Sequence, residues 1–120
     1  DIALVGIGSV RPELSSLVRA GYLDHEELLA IQHAGAVGDI CATHYDQKGQ
    51  IIDLDLNQRV VGLGLQNLAD NSGMVIAVAG GAEKTAAISG ALKGGFLDVL
   101  VTDNVVAEAL LNEHLILKVT

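Results

Sequence analysis

The apolar residues open as one short run, Ile2-Ala3-Leu4-Val5, closed by Gly6-Ile7-Gly8-Ser9. An aliphatic, β-branched stretch ending in glycines predicts a buried strand and a turn. Polar and apolar positions then take on helical spacing. Pro12 suits the first turn of a helix through "PELSSLVRA" that stops at Gly21. Asp24, with Glu27 three residues on, predicts a capping box at the head of "DHEELLAIQHAG", which ends at Gly35. "GDICATHYDQKGQIID" reads as two extended stretches about a turn at residues 46–49, where Gly49 can take a positive φ. "RVVGLGLQNLAD" has helical spacing despite its two glycines.

From Gly73 the pattern becomes regular. "GMVIAVAGG" predicts a strand, "AEKTAAISGALKGG" a helix, "DVLVTD" a strand, "NVVAEALLN" a helix and "LILKV" a last strand. Strands alternating with ten-residue helices mean βαβ units. The fold class expected is therefore α/β, with a Rossmann-like parallel sheet and helices on both faces. No repeat, linker or low-complexity tract divides the 120 residues.

Composition narrows the function. Half the residues are hydrophobic, yet only Tyr22, Tyr45 and Phe96 are aromatic, so Val, Ile, Leu and Ala must build the core. The net charge is −8, with 15 acids against seven Lys and Arg, and no basic stripe with interleaved aromatics occurs. Duplex DNA and RNA repel such a surface. No apolar run approaches the roughly 18 residues that span a membrane. The single cysteine, Cys41, excludes an internal disulfide and fits a reducing cytoplasm, the expected location. The chain starts at Asp1, one residue before a buried-looking strand, which suggests a piece of something longer.

In open parallel sheets ligands bind beyond the carboxyl ends of the strands. Gly80-Gly81 with Lys84 three residues on can seat a phosphate or carboxylate, or can be a tight turn carrying a solvated lysine. Asp39, beside Gly38 at what reads as a strand start, can accept sugar hydroxyls or cap a turn. Asp103 ends a strand and reads first as a helix N-cap. "GIGS" lacks the third glycine of a dinucleotide fingerprint, since position 11 is Arg11, and no Walker A sequence occurs. His25, His33, His44 and His114 have no metal spacing, and His44 and Asp46 read as surface residues near a turn. Cys41 reads as a small core residue. No metal or cofactor is expected.

These residues together resemble the sugar-binding effector domain of the SorC family of bacterial transcription regulators. The matching elements are "GIGS", "GDICATHYDQKG" and "AGGAEKTAAISGALKGGFLDVLVTDNVVAEALL", the last being the most specific. The resemblance implies a module that is not an enzyme, on a scaffold like those of glucosamine-6-phosphate deaminase and ribose-5-phosphate isomerase. It implies that residues 1–120 are the C-terminal part of that domain. DNA would be bound only through an N-terminal helix-turn-helix of the parent protein, and a sugar or sugar phosphate would control a homo-oligomer. Carried over residue by residue, it places Lys84 at the sugar or its phosphate and Asp39 at sugar hydroxyls. Gly6, Gly8, Gly80 and Gly81 would line the pocket through their backbones. Where the family often has glycine after "GDIC", this chain has Ala42. The competing expectation is a sugar-phosphate isomerase, deaminase or lactonase on the same scaffold. Such deaminases and lactonases typically follow their glycines with Asp-Gly-His, whereas here Ser9-Val10-Arg11 follows.

Overall fold

A computed structural model describes the backbone of residues 1–119 and the side chains of residues 1–113. The apolar runs form a parallel sheet in the order β1-β5-β6, made by β1 (Ile2–Gly6), β5 (Met74–Val78) and β6 (Val99–Val101). Ile2 lies opposite Met74, and Ile76 opposite Val99. A second, antiparallel sheet holds β2 (Gly8–Ser9), β3 (Ala36–Ile40) and β4 (Thr43–Asp46). Ile7, 2% exposed, joins the two sheets, so the chain leaves one and enters the other across a single buried residue.

All five predicted helices are found, with changed bounds. α1 (Ser16–Arg19) is shorter than expected: Leu14 and Ser15 first turn back on the Arg11 carbonyl, and Ser15 then caps the helix by accepting from Val18 N–H. α2 (His25–His33) has the predicted capping box, in which Asp24 and Glu27 accept reciprocally from each other's amides. α3 (Leu65–Asn71) begins only after Gly64; residues 59–64 are not helical, because two glycines weaken the run before it can start. α4 (Thr85–Lys93) follows one turn of 3-10 helix at Ala82–Lys84.

The predicted last strand is overturned. α5 (Asn104–Val119) runs straight through "LILKV". A five-residue apolar run fits a buried strand or a helix equally well, and no glycine or proline interrupts this one.

One core joins the two sheets. Ala77 of β5, Ile40 of β3, Tyr45 of β4, Ala87, Ile88 and Ala91 of α4 and Val106 of α5 pack in it together. α4 reaches β3 closely because a Cβ on Gly38 would lie 2.5 Å from that of Ala87. Tyr45, fully buried, donates its hydroxyl to the Ala87 carbonyl at 2.6 Å. The parallel sheet with its helices bears out the α/β expectation. Cover on both faces is not found among the described residues: Ile2, Leu4, Val78 and Val101, on one face, are each more than half exposed. No helix among the described residues is long and apolar enough to cross a membrane.

Candidate functional site

Gly6, Gly8, Asp39 and Lys84 line one cleft of about 340 Å³. Three separate pieces of chain deliver them. β1 runs out at Gly6, where a Cβ would meet nothing within 4 Å, so the missing side chain leaves open space. β2 pairs Gly8 with Asp39. A Cβ on Gly8 would lie 2.1 Å from Asp39 Oδ1, which makes glycine a steric condition for seating this carboxylate. Lys84 enters from the 3-10 turn ahead of α4, its amide held by the Gly81 carbonyl at 2.9 Å.

Asp39 is the fourth of five residues in β3, not the strand start that the sequence suggested. Its Oδ2 accepts from Ala42 N–H at 3.2 Å, so it does cap a turn, and it faces the cleft as well. Burial pushes its carboxyl above the ordinary value, against the pull of His44, the Ala42 amide and Lys84. His44 lies opposite it on β4 and is 1% exposed, which corrects the surface reading. Burial holds the imidazole below its ordinary value while Asp39 pulls the other way, and His44 Nδ1 has no hydrogen-bond partner. The result is a half-buried carboxyl with spare acceptor capacity, backed by a neutral histidine and fronted by a lysine.

The place of the turn that Asp39 caps was not expected. Ile40 pairs with Thr43, so Cys41 and Ala42 form a two-residue hairpin loop. Both have positive φ, 52° and 61°, the geometry that favours Asn and Gly. This gives a physical reason for glycine at the position of Ala42. Cys41 is exposed rather than in the core, and burial and the charge of Asp39 push its thiol up. The turn expected at residues 46–49 also exists, with Gly49 at φ 80°.

Gly80 and Gly81 do not line this cleft. They answer to Asp103. A Cβ on Gly80 would come within 2.8 Å of Asp103 Oδ2, and Gly81, at φ 98°, donates its amide to that oxygen at 2.7 Å. Asp103 Oδ1 accepts from Val106 N–H at 2.8 Å, so the N-cap reading holds. The Val106 and Gly81 amides hold its carboxyl below the ordinary range.

The sequence missed Ser16, Leu17 and Arg19 of α1, which wall the other side of the cleft. Only the place of this helix directly after "GIGS" hinted at them. The His44 side chain was missed because its partner lies across a hairpin that no glycine marks. His25 and His33 stand apart from the cleft on α2, and the side chain of His114 is outside the described residues. Among the described residues, no group of three His, Cys, Asp or Glu is placed to hold a metal.

Residues 1–112 match the family model described as "Putative sugar-binding domain". The chain is 42% identical over 113 residues to the deoxyribonucleoside regulator of Bacillus subtilis, covering 94% of this chain and 35% of that protein. It is 40% identical to the transcriptional regulator LsrR of Escherichia coli, over 92% of this chain and 35% of the relative. The chain thus spans about a third of the length of these curated relatives. Among solved structures, it superposes with a TM-score of 0.82 and 34% identity on the full-length sorbitol operon regulator SorC of Klebsiella pneumoniae, covering 92% of this chain and 35% of that one. A DeoR family transcriptional regulator from Listeria monocytogenes gives 0.84 and 32%, over 92% of this chain and 44% of the other.

Proposed function

The chain belongs to the sugar-binding domain family of transcriptional regulators, and on that premise we propose that its cleft senses a sugar or sugar phosphate for a DNA-binding parent protein. The observation that carries this reading is the joint presence of Asp39 and Lys84 in one cleft with Gly6 and Gly8. A sugar hydroxyl donates to Asp39, whose oxygens have capacity to spare. Lys84 accepts nothing and donates three ways, which suits a ring oxygen, a hydroxyl or a phosphate. The glycines let the ligand approach backbone groups that side chains would screen.

Binding here is read as sensing rather than catalysis, because the relatives named above are regulators. DNA contact belongs to another part of the parent, since this chain carries a net charge of −8. Its exposed apolar residues, Leu4 and Val61 among them, support assembly with further chain, including other copies of the same protein.

A thermal-shift panel of sugars and sugar phosphates, run on the full-length protein, tests the reading. Ligand that binds the native state alone raises the melting temperature by mass action. Lys84→Ala is expected to weaken the ligand found by about tenfold, or roughly 1.4 kcal/mol. Recovery of that ligand unchanged fits a sensor. Chemical turnover would move the assignment to the isomerase, deaminase or lactonase class, and an unchanged affinity in the variant would remove Lys84 from the site.

A further inference from the structure

Arg19 lines the proposed sugar cleft and has no acidic partner. Among the described residues, Arg11, Arg59 and Lys93 each pair with a glutamate, whereas Arg19, Lys48 and Lys84 pair with no carboxylate. Acids are not scarce, since the chain has 15 against seven Lys and Arg. Yet two of these three unpaired cations, Arg19 and Lys84, meet at one cleft of about 340 Å³.

The two are not equivalent. Against the burial that raises the Asp39 carboxyl, Lys84 is near enough to pull it down, and Arg19 is not among the groups that do so. Arg19 is exposed on α1, at the other side of the cleft. An anion seated at Lys84 would lie beside a carboxylate and be repelled by it, whereas one seated at Arg19 keeps clear. A guanidinium also presents a rigid fork of N–H donors that matches two oxygens of a phosphate or carboxylate, which an ammonium does not. Leu14 and Leu17 line the same cleft and offer apolar surface to the C–H groups of a sugar.

We propose that Arg19 is a specificity-determining contact: it takes an anionic group of the ligand, phosphate or carboxylate, while Asp39 and Lys84 take hydroxyls. The cleft then prefers a sugar that carries a negative charge to the same sugar without one. This rests on the reading of the cleft as the sugar site. The ligand supplies the acidic partner that the protein itself does not give to Arg19.

Titration of inorganic phosphate into the full-length protein, followed through the methyl resonances of Leu14 and Leu17, tests the anion contact without a sugar. Those resonances should move saturably in the wild type. Arg19 is exposed and unpaired, so its replacement leaves the fold intact. Arg19→Gln should weaken phosphate binding at least tenfold, the loss expected of a charged hydrogen bond. Lys48→Gln, which removes the same charge away from the cleft, should leave it unchanged. Acetate separates the two sources: movement with both anions admits a sugar acid, and movement with phosphate alone restricts the ligand to a sugar phosphate. No movement in the wild type, or equal losses in the two variants, overturns the proposal.

The preference is read by thermal shift, with each sugar phosphate set against its neutral sugar at equal concentration. The phosphate should give the larger shift in the wild type. In Arg19→Gln that difference should shrink, with the response to the neutral sugar unchanged. Equal weakening of both ligands would mean that Arg19 acts through the fold, and would overturn the proposal too. If no sugar or sugar phosphate binds while inorganic phosphate still binds through Arg19, the sugar-site reading fails and the anion contact stands, so the two failures are distinguishable.

Discussion

Asp39 and Asp103 each sit beside a glycine that a Cβ would drive into the carboxylate, and there the likeness ends. Asp103 spends both oxygens on backbone amides, of Gly81 and Val106, and its carboxyl is held below the ordinary range. Asp39 has one such amide at the longer distance of 3.2 Å, stands against a buried histidine, and is pushed up by burial. A carboxylate saturated by its own backbone joins two turns and has little left for a ligand. One left short of donors in a cleft with a lysine has capacity for a ligand, as the proposed function requires. The double glycine before Lys84 therefore packs against Asp103, while the lysine lies at the cleft.

The largest effect should come from filling the seat of Asp39. Gly8→Ala puts a methyl group where Oδ1 now lies, and is expected to weaken sugar binding by about a hundredfold, roughly 2.7 kcal/mol, within the range for overpacking. Calorimetric titration checks it, and near-normal affinity would mean that Asp39 is not seated there in solution.

Next comes the histidine behind Asp39. Its pKa is depressed in the folded protein, so its contribution to stability is present above the ordinary value of 6.5 and is lost as pH falls from there through the folded pKa. Acidifying from pH 7 to 5 should thus lower the melting temperature, and His44→Gln should make that fall smaller. Thermal melts showing the same slope in both proteins would contradict a buried neutral imidazole.

The smallest effect is expected at the turn. Ala42→Gly relieves a positive φ of 61°, and should stabilise by about 0.5–1 kcal/mol, since the steric relief exceeds the entropy glycine loses on folding. Denaturant unfolding is sensitive enough to see it. A destabilised variant would show that Ala42 packs in a way its backbone does not require.

The same contrast explains what was legible in the chain. The Asp24–Glu27 box, β1, β5, β6 and α4 rest on neighbours a few residues apart, and each can be read from the sequence. So can the N-cap role of Asp103, which needs only a strand end and a helix start. The second sheet could not be read, because β2 is two residues long and its pairing with β3 spans thirty positions. The Cys41–Ala42 turn was hidden because neither residue advertises a positive φ. Strand-end reasoning reached Gly6, Gly8 and Lys84. Asp39 emerged as a carboxylate out of place in an apolar strand, although its true position is near the end of β3. Arg19 and His44 reach the cleft and the carboxylate through tertiary contacts, which no local pattern records.

The most direct test exchanges the two acids. Asp39→Asn and Asp103→Asn, in the full-length protein, would be compared by calorimetric titration with the sugar phosphate that gives the largest thermal shift and by thermal melting. Asp39→Asn should weaken binding at least tenfold with little loss of melting temperature, while Asp103→Asn should lower the melting temperature and leave the affinity of the folded protein close to wild type. Equal loss of affinity in both, or a loss confined to Asp103→Asn, would contradict the division between a receptor carboxylate and a structural one.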